Sequence, residues 1–141
     1  MERTDLIFHR IGLAILTASG AFVGLWAYLA PVHWYNTFPG LGMRWLPAFG
    51  PYNEHFAKDV GAMYLALTVV GALAYIYRSN RTLVVVAAAG WTVFNLLHLI
   101  YHLTMLHMYG PRDAIVSVTL LSVLLVCSAA LAVPGRENTR S

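Results

Sequence analysis

The sequence predicts an all-α, polytopic membrane protein: one four-transmembrane-helix bundle spanning residues 1–141, with both termini cytoplasmic. Three observations lead there. Hydrophobic residues make up 59% of the chain and charged residues 11%, where an ordinary soluble domain carries roughly 25% charged residues. Four long stretches contain no Asp, Glu, Lys or Arg, and each approaches the roughly 20 helical residues that cross about 30 Å of hydrocarbon. The basic residues are also divided unevenly. Arg3, Arg10, Arg78, Arg81, Arg136 and Arg140 fall on one side, and Arg44, Lys58 and Arg112 on the other. The richer side belongs in the cytoplasm, which predicts a multi-pass protein of the cytoplasmic (plasma) membrane of a bacterium. A backbone in lipid must satisfy its own hydrogen bonds, so the four stretches are expected to be helices.

The first helix is predicted over residues 11–30. Its apolar run exceeds a signal-peptide core of about 7–15 residues and is followed directly by Pro31, so it reads as a retained span. Gly20 and Gly24 form a GxxxG motif, the spacing that lets helix backbones approach closely in lipid. An outer interfacial loop follows at 31–53, rich in Pro and Gly and carrying Trp34, Tyr35, Phe38, Trp45, Phe49 and Tyr52. Such rings favour the headgroup level, which predicts a segment lying on the membrane as an anchor or as a lid. The second helix, 54–77, is opened by Asn53 as a cap, with Glu54 favourable near its positive end. Ala62 and Ala66 repeat the small-residue spacing there. The short turn between Arg78 and Arg81 makes the second helix and the third, 82–108, antiparallel neighbours. Gly110-Pro111 breaks the chain before the fourth helix, 114–133. Cys127 is the single cysteine, which excludes an internal disulfide or dithiol pair. The net charge of +3, with no basic patch, excludes nucleic acid as a partner.

One polar cluster stands out. His55 and Asp59 are four apart and share a face of the second helix, while Asn95, His98 and His102 share a face of the third. Asp59 lies about 27 Å from the inner turn and His98 about 24 Å, at 1.5 Å per residue. Both are therefore expected at one depth, with Asp59 paired to His98 because an ionisable group in lipid needs a partner. Lys58 is expected to snorkel to the headgroups. His33 and His107 look peripheral, and His9 sits at the opposite end. Ser117, Ser122 and Ser128 have no base at their depth, so no nucleophile set is visible.

The segment Pro51-Tyr-Asn-Glu-His-Phe-Ala-Lys-Asp-Val-Gly-Ala-Met-Tyr-Leu-Ala, with Asn95-Leu-Leu-His98 and Tyr101-His102, resembles uncharacterised small four-helix bacterial integral membrane proteins, loosely DoxX-like. The resemblance implies the four-helix plan over the second to fourth helices and carries no function.

The cluster His55, Asp59, Asn95, His98 and His102 admits several uses. It could be a structural clamp between helices, or a pocket for a small or lipidic ligand. His55, Asp59, His98 and His102 could instead hold Zn, Cu or Fe, as two i,i+4 pairs on facing helices. Haem is disfavoured, because the second helix offers only His55, near the surface. The expected role is binding or accessory. A membrane enzyme using Asp59 and His98 for proton transfer, and a structural subunit of a homo-oligomer or larger membrane complex, are the alternatives.

Overall fold

The computed structural model describes residues 3–133. Arg136 and Arg140, which contribute to the expected orientation, lie outside the described residues. Five helices account for most of the chain: α1 (Arg3–Leu29), α2 (Pro31–Thr37), α3 (Glu54–Ile76), α4 (Arg81–Thr104) and α5 (Pro111–Ala132). Four of them contain stretches long and apolar enough to cross a membrane: His9–Leu29, Glu54–Ile76, Arg81–Thr104 and Pro111–Ala132. Asn53 caps α3 as its sequence position suggests, its side chain accepting from the Phe56 backbone N–H, and Asn80 caps α4 in the same way.

Residues 31–53 are more ordered than a surface loop. Pro31 starts the short helix α2, its missing N–H costing nothing at a first helical position. A two-residue hairpin follows, with β1 (Pro39–Gly40) antiparallel to β2 (Met43–Arg44). Its turn places Leu41 at φ 55° and Gly42 at φ 79°, the left-handed pair that matches strand twist in a tight hairpin. A 3-10 turn at Leu46–Phe49 leads into α3. The third long helix stops at Thr104 rather than continuing to 108. Met105 ends it, and Leu106–Met108 forms a separate 3-10 turn.

Two helix pairs build the bundle. α1 packs most closely on α3, and α4 on α5. The first pair meets through glycine. A Cβ added at Gly61 would lie 2.7 Å from the Tyr28 backbone nitrogen, and one at Gly24 would lie 3.0 Å from that of Leu65. Only hydrogen fits at Gly61, and a methyl at Gly24 would be tighter than ordinary contact, so the two glycines set the distance between α1 and α3. Gly61, and not Ala62 with Ala66, is the small residue of α3 at this crossing; Ala62 and Ala66 are exposed. Trp91 of α4 joins the pairs. It is fully buried, and its ring lies where a Cβ on Gly20 or Gly71 would intrude, at 2.8 Å and 3.3 Å. Leu13, Leu16, Ala74, Val84, Ala87, Ala88 and Leu131 complete this core.

The bundle has a loop end, covered by residues 31–53, and a turn end at the α3–α4 connection. At the turn end the Arg81 guanidinium donates to the carbonyls of Leu131 (2.7 Å), Ala132 (2.8 Å) and Val133 (2.7 Å). Helix C-termini leave carbonyls without intrahelical donors, and a cation there also complements the helix dipole. His9 Nε2 lies 3.3 Å from the same guanidinium, so His9 belongs to the turn end, as its position in the chain implies.

Candidate functional site

The α4 face expected from spacing is present, since Trp91, Asn95 and His102 are all buried. Its members do different things. Asn95 Nδ2 donates to the Leu124 carbonyl at 3.2 Å and to Ser128 Oγ at 3.3 Å. It therefore joins α4 to α5 in the bundle interior, where a polar group is tolerated because it is bonded. His98 and His102, one turn apart, have ring centroids 4.5 Å apart. His98 also stacks on Phe94 at 5.3 Å, and Phe94 in turn meets the edge of Tyr64 on α3.

A phenol orients the second imidazole. Tyr109, from the connection between α4 and α5, brings its hydroxyl to 3.2 Å from His102 Nδ1. Burial holds the Tyr109 phenol above its ordinary pKa, so it keeps its proton at neutral pH. The contact is O–H to Nδ1 or Nδ1–H to the phenol oxygen, according to which ring nitrogen of His102 carries the proton. Phe49 closes the site from the loop side, with its ring edge-on to His102 (5.3 Å, 85°) and to Tyr109 (5.3 Å, 89°). Neither Tyr109 nor Phe49 was visible as a site residue in the sequence. A helix running to 108 would have carried Tyr109 away, and Phe49 was one aromatic among six in its loop.

Phe49 has a second neighbour. It lines a cavity of about 180 Å³ together with Trp34, Tyr35, Tyr52, Phe56 and Val60. Tyr35 spans this loop by donating its hydroxyl to the Gly50 carbonyl. The indole N–H groups of Trp34 and Trp45 and the Tyr52 hydroxyl are buried here without a hydrogen-bond partner. An unsatisfied buried donor costs about 1–3 kcal/mol, so the cap holds hydrogen-bonding capacity that the chain itself does not use.

The α3 residues stand apart. His55 Nε2 and Asp59 Oδ2 are 3.3 Å apart, and their side chains are 79% and 62% exposed. Ala57 and Gly61, on the opposite side of α3, are buried. The equal depth expected for Asp59 and His98 concerns height along the helix only. Rotation is set by the glycine contact with α1, which turns His55 and Asp59 outward. Asp59 is thus paired within its own helix, and the pairing with His98 is replaced by His98 on Phe94 and His102. Among the described residues, no three His, Cys, Asp or Glu side chains converge on a metal position. His55, Asp59, His98 and His102 therefore form two separate pairs rather than one four-ligand set. Lys58 pairs with Glu54 at 3.1 Å. His33 accepts from the Trp26 indole at 2.8 Å, and His107 is exposed.

These features define a helical bundle with four candidate membrane spans and, at its loop end, an aromatic-capped histidine pair. No protein-family model, curated protein or solved structure matches the chain.

Proposed function

We propose that this chain is a multi-pass protein of the bacterial cytoplasmic membrane, with both termini cytoplasmic and the loop end outside. Its role is to bind a small amphiphilic ligand drawn from the outer leaflet, as a binding or accessory protein. The observation that carries this reading is the His98–His102 pair, with His102 in contact with Tyr109 and with Phe49, which also lines an aromatic cavity. A binding site for such a ligand needs apolar walls and a few placed polar groups. Trp34, Phe56 and Val60 supply the walls. Two imidazoles supply polar groups at one end, and Tyr35 and Tyr52 are among the residues that line the other. Phe49 is the residue that the cavity and the imidazole pair share. Gly50 follows it at φ 135°, a conformation natural to glycine and suited to a hinge.

Native mass spectrometry of protein extracted in a mild detergent tests the reading. The wild type should carry a bound organic mass that is lost in His98→Ala and in His102→Ala and retained in Asp59→Asn. Equal occupancy in all four proteins, or no bound mass in any, would overturn it. A bound Zn, Cu or Fe ion lost with the same two substitutions would replace the amphiphile by a metal.

A further inference from the structure

The turn end gathers two guanidiniums around one tyrosine. Arg10 of α1 donates from Nε to the Tyr75 hydroxyl at 3.1 Å. Arg78, just past the end of α3, donates to the Tyr75 carbonyl at 3.3 Å and sets its guanidinium over the Tyr75 ring, 5.8 Å from the centroid. Neither arginine forms an ion pair among the described residues. The pairs found there, His55–Asp59 and Lys58–Glu54, both lie at the loop end. What remains unused around Tyr75 is all of one kind. A guanidinium carries five N–H donors and no acceptor. Arg10 engages its Nε alone and Arg78 one terminal nitrogen, so both keep donors to spare. The Tyr75 oxygen accepts from Arg10, and its own O–H has no acceptor among the described residues.

We propose that Arg10, Arg78 and Tyr75 form a site for the headgroup phosphate of an anionic phospholipid. The chemistry follows from the surplus of donors. A ligand that satisfies two guanidiniums and a phenol O–H is rich in acceptors and negatively charged, and the planar fork of a guanidinium matches phosphate oxygens in pairs. The source follows from depth. Arg10 and Tyr75 each lie one residue inside the end of a candidate span, His9–Leu29 and Glu54–Ile76. That level is the boundary between hydrocarbon and headgroups, where basic pockets between spanning helices hold lipid headgroups. Ala14 and Ala18 continue the Arg10 face of α1 one and two turns further in, and both are exposed. Their methyl groups leave an acyl chain room to lie against α1 below its headgroup. Arg81 takes no part, because its guanidinium is committed to the carbonyls at the end of α5. The site lies at the opposite end of the bundle from the histidine pair and does not depend on it.

Thermal melts of the full chain, delipidated in a non-ionic detergent, test this with phosphatidylglycerol, phosphatidylcholine and inorganic phosphate as probes. Phosphatidylglycerol should raise the melting temperature saturably, and more than phosphatidylcholine does at the same mole fraction. Arg10→Gln and Arg78→Gln should each weaken its apparent affinity about fivefold, the effect of one basic residue at an anionic lipid surface. Arg10→Lys should restore only part, since an ammonium lacks the fork. Tyr75→Phe keeps the ring and should also weaken binding, so the result does not hang on how the arginine variants fold. Arg112→Gln, at an exposed loop-end position, should respond as the wild type does. An equal response in the wild type and in Arg10→Gln, Arg78→Gln and Tyr75→Phe would mean that the lipid acts elsewhere. An equal loss in Arg112→Gln would mean diffuse attraction to any cation. A shift of the same size from inorganic phosphate would mean a free anion rather than a lipid. No shift with phosphatidylglycerol would mean that water alone meets the guanidiniums. Any of the four overturns the proposal.

Discussion

Asp59 shows how a residue's height and its direction come from different sources. Its depth follows from counting at a fixed rise per residue and needs no knowledge of packing. Its direction depends on which face of α3 is buried, and that is decided by Gly61 against Tyr28 and Gly24. Hydropathy could not reveal this, because in lipid the buried and exposed faces of a helix are both apolar. The His98–His102 pair was legible because an i,i+4 spacing on one helix places two rings together regardless of neighbours. Tyr109 was not, because its approach to His102 requires α4 to end at Thr104. Arg81 was legible only as a topological charge, yet it caps the carbonyls of Leu131, Ala132 and Val133. Hydrogen bonds to a charged group contribute about 1.5–3 kcal/mol. Arg81→Met should therefore lower stability in detergent by about that amount, and Arg81→Lys should recover only part, since an ammonium lacks the fork geometry. Thermal melts of the three proteins check it. Unchanged melting of Arg81→Met would mean that water replaces the guanidinium at those carbonyls.

At the scale of elements, the four long helices were readable from uncharged runs, and the start of α3 from Asn53. The GxxxG spacing in α1 left internal packing and dimerisation open; in the structure Gly24 meets Gly61 and Leu65 of α3, and Gly20 meets Thr68 and Trp91. α2 and the hairpin were hidden because their residues lack any hydrophobic period and owe their shape to Pro31 and to the left-handed pair at Leu41 and Gly42. The glycine contacts make opposed predictions for one kind of substitution. Gly61→Ala forces a Cβ to 2.7 Å from a backbone atom, and overpacking of this kind costs about 1–3 kcal/mol. Gly90→Ala meets only Leu67 Cδ2 at 4.0 Å and removes a helix-interior glycine worth about 1 kcal/mol relative to alanine. Melting temperature should fall for the first and hold or rise for the second. A fall for both would mean that Gly90 packs against something outside this chain.

For the molecule as a whole, the proposed orientation has a direct consequence. Reporter fusions near Gly40 and Pro111 should read outside, and fusions near Asn80 inside. The reverse would place the capped histidine pair toward the cytoplasm and change the leaflet from which a ligand comes. The central claim is that His98 and His102 form a ligand site under an aromatic cap, and histidine-selective nitrogen NMR tests it most directly. In protein as extracted, the His102 Nδ1 resonance should report its hydrogen bond with the Tyr109 hydroxyl. Exhaustive delipidation should then shift the resonances of His98 and His102 together and leave that of exposed His107 in place. Unmoved His98 and His102 resonances in a protein that still melts cooperatively would contradict the claim and leave the pair as packing between α4 and its cap.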